Sequence, residues 1–192
     1  NLVLNGSFEL NNSTICHHSF YFANEYNNTF QYSIHYGDIN TIVLIKGSCL
    51  SCSPPVYWGG GGQEGNYMLA IIGEREILSD GSIYRRQGEI SLALSTPLLS
   101  EKNYKLSFWI KKPPPTFYPT YCLQDLKNNY ISVGISNTDD AFGTHLITSP
   151  YGDTLWQQYS VVFNTQNAEE HITVQVGVND TIDYGVLIDN FV

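Results

Sequence analysis

Apolar and polar residues alternate with a period of two in one segment of this chain after another, and no stretch sustains the spacing of an amphipathic helix. In Tyr104-Lys105-Leu106-Ser107-Phe108-Trp109-Ile110-Lys111 the alternation sets Tyr104, Leu106, Phe108 and Ile110 on one face and Lys105, Ser107, Trp109 and Lys111 on the other. The first set reads as core. Strands are expected over 2–4, 41–45, 67–72, 88–94, 103–111, 130–136, 157–164, 171–178 and 186–192. Gly, Pro and Asn clusters punctuate them at 54–55, 59–62, 113–115 and 137–140. This count fits an all-β fold, a two-sheet antiparallel β-sandwich of jelly-roll type, in one domain of 192 residues.

The charge balance narrows the partners. Lys and Arg number 9 against 18 Asp and Glu, a net charge of −9. A phosphate-rich ligand needs a basic face, so nucleic acid is not expected. No run reaches the roughly 20 apolar residues of a membrane span. Only 14% of residues are charged, and Tyr, Asn, Ser, Thr and Gly supply the polarity, as in extracellular β-proteins. The chain opens on Asn1 and ends within an apparent strand, so it is read as a mature or trimmed piece of a longer secreted protein.

Four cysteines, Cys16, Cys49, Cys52 and Cys122, allow two disulfides in three connectivities. Zinc is the rival reading, because Cys49 and Cys52 have C-x-x-C spacing and His17 and His18 follow Cys16. All four lie in long insertions, 11–38, 48–65 and 113–129, that are dense in aromatics. Segments of that length exist for function or lack fixed structure. Sugar rings pack their C–H faces on flat aromatics while amides, hydroxyls and carboxylates orient their hydroxyls. Trp58, with Tyr57, precedes a glycine run that leaves its indole little cover; Tyr118 and Tyr121 sit on the Pro-rich insertion, and Trp109 faces away from the core. These five are the candidate ligand-binding residues, while Trp156 is assigned to packing.

The two ends carry the most specific signal. Asn1-Leu2-Val3-Leu4-Asn5-Gly6-Ser7-Phe8-Glu9 and Val186-Leu187-Ile188-Asp189-Asn190-Phe191 each place a carboxylate beside an aromatic expected to be buried. They resemble the first and last strands of galactose-binding-like jelly rolls, the fold of many non-catalytic carbohydrate-binding modules. Arg75-Glu76-Ile77, then Thr96-Pro97-Leu98-Leu99 and Tyr104 to Phe108, resemble the progression in extracellular, type IX secreted proteins of Bacteroidetes. The resemblance implies one structural calcium held by Glu9, a main-chain oxygen of Gly65 or Asn66, and Asp189. It also implies a glycan-holding sheet surface, onto which Trp109 is one candidate to project. Asp153-Thr154-Leu155 and Asp180-Thr181-Ile182 resemble the O-glycosylation signal of that phylum, which makes Thr154 and Thr181 candidate glycan carriers.

A glycosidase needs two carboxylates roughly 5–10 Å apart across a groove, and the acidic residues outside strands are dispersed. The expectation is therefore a non-catalytic extracellular module that binds carbohydrate or a cell surface through its aromatics. A subunit of an extracellular filament or adhesin is the rival, in which the aromatics meet copies of the chain or neighbouring modules.

Overall fold

The computed structural model describes residues 1–13, 17–20, 22–38, 41–46, 62–63, 65–112, 130–150, 153–176 and 184–192, without the side chains of 17–19, 74–76 and 184. Two antiparallel sheets face each other as a sandwich. The larger has the order β1 (His17–Ser19), β3 (Ile42–Lys46), β4 (Tyr67–Ile77), β12 (Tyr184–Asp189), β7 (Asn103–Lys111) and β10 (Gln157–Asn164), with β5 (Ile83–Gln87) hairpinned onto the far half of β4. The smaller has the order β2 (Ser33–His35), β6 (Glu89–Ala93), β11 (His171–Val176), β8 (Ile131–Ser136) and β9 (Thr144–Thr148). The one helix among the described residues, α1 (Ala23–Thr29), packs beside β2.

The alternation decides which side of each strand faces inward. Leu106, Phe108 and Ile110 of β7 are buried against Ile90, Leu92, Ile131, Val133, Ile172 and Val174 of the facing sheet. Where the sequence runs continuously apolar, as in Ile42-Val43-Leu44-Ile45 and Met68-Leu69-Ala70-Ile71-Ile72, both faces are buried. There Val43, Ile45, Met68, Ala70, Ile72 and Leu187 form a second apolar cluster on the outward side, with Trp156 packed on it and Lys111 Nζ 5.8 Å from the Trp156 ring centre.

Several elements differ from the sequence expectation. Residues 2–4 make a narrow pairing with 93–95, in which Leu4 donates to the Ala93 carbonyl and Ser95 to that of Leu2, before Asn5 turns the chain away at φ 53°. The tract 11–38 is built into the sandwich: β1 extends one sheet, β2 extends the other, and α1 joins them. Its sequence is a poor helix former, and Tyr26 stabilises it through packing. Tyr26 is fully buried, 5.0 Å from the Phe20 ring and 4.5 Å from Phe30, and its hydroxyl bonds Ser33 Oγ at 2.6 Å. Strands β5 and β9, which carry exposed or half-buried side chains, were absent from the expected set.

The two ends of the chain meet. Asn5 and Asn190 both adopt left-handed backbone, at φ 53° and 49°, and each is followed shortly by a fully buried phenylalanine, Phe8 and Phe191. The Asn5 side chain bonds the carbonyls of Leu10 and Gln31 and accepts the Leu10 N–H, fastening the N-terminal turn to the tract before β2. Phe191 donates its N–H to the Gly6 carbonyl, and a Cβ on Gly6 would lie 2.1 Å from the Phe191 oxygen, so only glycine allows this approach.

Candidate functional site

Two places gather the chemistry. The first is the corner where the ends meet. Glu9 Oε1 accepts the N–H groups of Asn66 and Tyr67, both at 2.7 Å, and its carboxylate occupies the space a Cβ would need at Gly65. Asp189 is fully buried and its Oδ1 accepts the Asn190 N–H at 2.7 Å. Pairing of Ile188 with Leu69 carries Asp189 to the same end of β4 that Glu9 caps. Glu9 and Asn66 thus meet directly, and Asp189 lies one strand over. Among the described residues no three of His, Cys, Asp and Glu cluster as a metal site. A hard cation at this corner would take one carboxylate from each end and complete its shell with carbonyl oxygens, a donor set that suits calcium.

The second place is the outward face of the five-stranded sheet. Register puts Ile34, Ser91, Thr173, Gly134 and His145 in one row across it, Ala93, His171 and Ser136 in the next, and Glu89, Gln175, Ser132 and Thr148 in the third. These are the side chains that alternate with the core positions Ile90, Leu92, Ile172, Val174, Ile131 and Val133. Tyr36 follows β2 and donates its N–H to the Glu89 carbonyl. Burial, and then the charge of Asp38, raises the Glu89 carboxyl above its ordinary pKa, while Asp38 itself accepts the Tyr84 hydroxyl and the Gln87 N–H.

Among the described residues four buried side-chain polar atoms have no hydrogen-bond partner: Tyr36 Oη, Ser91 Oγ, His171 Nδ1 and His35 Nδ1. The first three belong to this outward face. A buried polar group left unpaired costs about 1–3 kcal/mol, and these three lie just beneath one surface. Two depressions open there. One, of about 260 Å³, lies between α1 and the edge of the sheet and is lined by Asn27, Tyr32, Ile34, Ser91, Ala93 and His171 among others. The other, about 550 Å³, is a shallow bowl at Tyr130, Ser132, Thr148, Ser149 and Pro150. A third pocket, about 320 Å³, is lined mainly by apolar residues such as Leu94, Leu98, Leu106 and Phe163, with Asn1, Lys105 and Ser107 also on its wall.

The residues proposed from sequence distribute as follows. Trp109 is half-buried on the outward face of the larger sheet, opposite Gln158 and Asp189, away from both depressions. Trp58, Tyr57, Tyr118, Tyr121, Cys16, Cys49, Cys52, Cys122 and Thr181 lie outside the described residues. Thr154 is exposed and its hydroxyl bonds the Asp153 carboxylate. The outward face itself went unread in the sequence, because its residues come from five strands spread over 33–175. The available signal was the hydroxyl and amide side chains at the polar positions of β6, β8 and β11.

No protein-family model and no curated protein matches the chain. Among solved structures it is similar to a cyclase from Fischerella sp. TAU, solved in complex with 4-(1H-indol-3-yl)butan-2-one, at 14% identity with a TM-score of 0.60 over 100% of this chain and 96% of that one. It is also similar to the enzymatically active domain of tailspike protein 4 of bacteriophage CBA120, at 11% identity and TM-score 0.51, covering 100% of this chain and 21% of that one. A looser match is a CBM4 domain, at 10% identity and TM-score 0.46 over 84% and 92% of the two chains. At these identities what is shared is the fold, a β-sandwich that hosts more than one function.

Proposed function

We propose that this chain is a non-catalytic binding module whose ligand is a polyhydroxylated compound, a glycan, held on the outward face of the five-stranded sheet. The observation that carries the reading is the grouping of Tyr36 Oη, Ser91 Oγ and His171 Nδ1, buried and unpartnered, on that face. A sugar offers many hydroxyls that both donate and accept, so one ligand can satisfy all three. Glu89, Gln175, Ser132 and Thr148 extend the polar surface, and Tyr130 supplies an aromatic plane at its far end. The non-catalytic part rests on the dispersal of the acidic residues along the chain. Extracellular work and disulfide-tied insertions presenting Trp58, Tyr57, Tyr118 and Tyr121 belong to the same proposal.

Substituting Tyr36→Phe tests it, because stability and binding should move apart. Removing the orphaned hydroxyl is expected to leave stability unchanged or to raise it by about 1 kcal/mol, while affinity on a glycan array falls at least about tenfold. A variant that binds as the wild type, or a wild type that binds no glycan, overturns the reading.

Calcium at the corner is a separate part of the proposal. Glu9 and Asp189 would hold it, and it would fasten the chain ends without entering the binding chemistry. At a calcium concentration 100 times Kd the wild type is expected to gain about 2.7 kcal/mol, and the double variant Glu9→Gln, Asp189→Asn to gain nothing. Equal Tm loss in calcium and in chelator would remove the metal.

A further inference from the structure

The recess between α1 and the sheet edge differs from the open bowl at Tyr130, and the difference bears on which part of a glycan it holds. Its volume of about 260 Å³ is below the roughly 300–1,000 Å³ of sites that accept drug-sized ligands. Its far side is closed: α1 packs beside β2, the edge strand, and Asn27 of the helix accepts the His35 N–H at 2.8 Å. A chain lying across the sheet meets α1 at this edge.

Inside, Ser91 is 1% exposed, lines the recess and has an unpartnered Oγ. His171 lines it from the next strand, with Nδ1 also unpartnered. Ala93, whose register partner is His171, leaves space where a larger residue would fill it. At the mouth Tyr32 is 51% exposed and stands at φ 62°, a backbone region that costs an aromatic residue strain. Its carbonyl is fixed there by the Ala93 N–H at 2.8 Å.

Taking the five-stranded face as a glycan surface, we propose that this recess binds the terminal sugar ring of the chain and so makes the module recognise chain ends. The ring lies against Tyr32, its hydroxyls pair with Ser91 Oγ and His171 Nδ1, and Asn27 stands at the rim. The preceding sugars extend across Gln175 and Ser132 toward the bowl at Tyr130. Specificity for one sugar then resides in the recess, and the rest of the face adds affinity with little selection.

The test is a two-dimensional amide NMR titration of the full chain with methyl glycosides of glucose, galactose, mannose, xylose and N-acetylglucosamine, and with the matching oligosaccharides. At least one methyl glycoside is expected to saturate the protein and to shift the amides of Ser91, Ala93 and His171. Ser91→Ala should weaken that binding at least about tenfold. So should Tyr32→Asn, which tolerates the left-handed backbone and keeps the fold. Oligosaccharides that bind with shifts at Ser132 and Gln175, with no methyl glycoside binding, would overturn the end-pocket while leaving the glycan face standing. Monosaccharide binding indifferent to Ser91→Ala would overturn it as well. Absence of binding by every carbohydrate would remove the face and the pocket together.

Discussion

Phe191→Ala is expected to cost about 3–5 kcal/mol, the range for emptying a fully buried aromatic site, and to lower Tm by on the order of 10 °C. Phe191 is fully buried and stacks on Phe108 at 5.2 Å between ring centroids with planes 13° apart. The surroundings cannot collapse into the space it leaves. Asn190, at φ 49°, fixes the turn that aims the ring inward, and the Phe191 backbone is bonded to Gly6. Urea unfolding provides the measurement, with the midpoint moving and the slope unchanged. A loss below about 1 kcal/mol would place the ring outside the core. Phe191→Leu, which keeps part of the volume, should cost visibly less.

The second large effect is one of pH. His35 is 2% exposed, packs 5.8 Å from the Tyr26 ring, and has one ring nitrogen 3.4 Å from Thr41 Oγ1. Burial lowers its pKa to about 4, against a smaller opposing pull from Asp38. In the unfolded chain the imidazole takes a proton near pH 6.5, whereas the folded protein takes it only near 4. Between those values the unfolded state holds more protons, so stability is complete above pH 6.5 and falls as the pH drops. At 1.36 kcal/mol per pH unit, the loss approaches about 3 kcal/mol below pH 4. The raised Glu89 carboxyl works in the opposite sense, adding stability on the acid side and losing it as pH rises through its folded value. The comparison with His35→Leu isolates the histidine. The stability of the wild type relative to the variant should fall steadily from pH 7 to pH 4, and a constant difference would show that His35 does not titrate.

The residues that made the fold legible are those whose local pattern and tertiary fate agree. Asn103 to Lys111 and Gln157 to Asn164 alternate cleanly, and both strands have the expected bounds. The end segments were legible as motifs that set a carboxylate beside a buried Phe, whereas the left-handed turn at Asn190 was not, since 186–192 reads as one continuous strand and β12 stops at Asp189. Helix α1 was not legible, because Tyr26 and its aromatic neighbours hold a sequence that has little helical preference of its own. Strands β5 and β9 escaped for the opposite reason: their side chains bury little, so no period stands out. The outward face was hidden by its construction. Its polar residues are spread over four strands, three of them on β11, and only the register across β6, β11, β8 and β9 brings them into rows.

The position of β12 has a kinetic consequence. It lies between β4 and β7, the two strands that hold most of the larger sheet's core, yet the chain supplies it after every other strand. A ribosome that has delivered residues 1–183 has made both neighbours and left a gap between them. Until residues 184–189 emerge, the inner edges of β4 and β7 are unsatisfied templates, open to pairing with any extended segment nearby. Closure of the larger sheet therefore waits for insertion of one strand into a slot between two that precede it in the chain. Slow closure, and sensitivity to aggregation during that interval, follow from strand order alone.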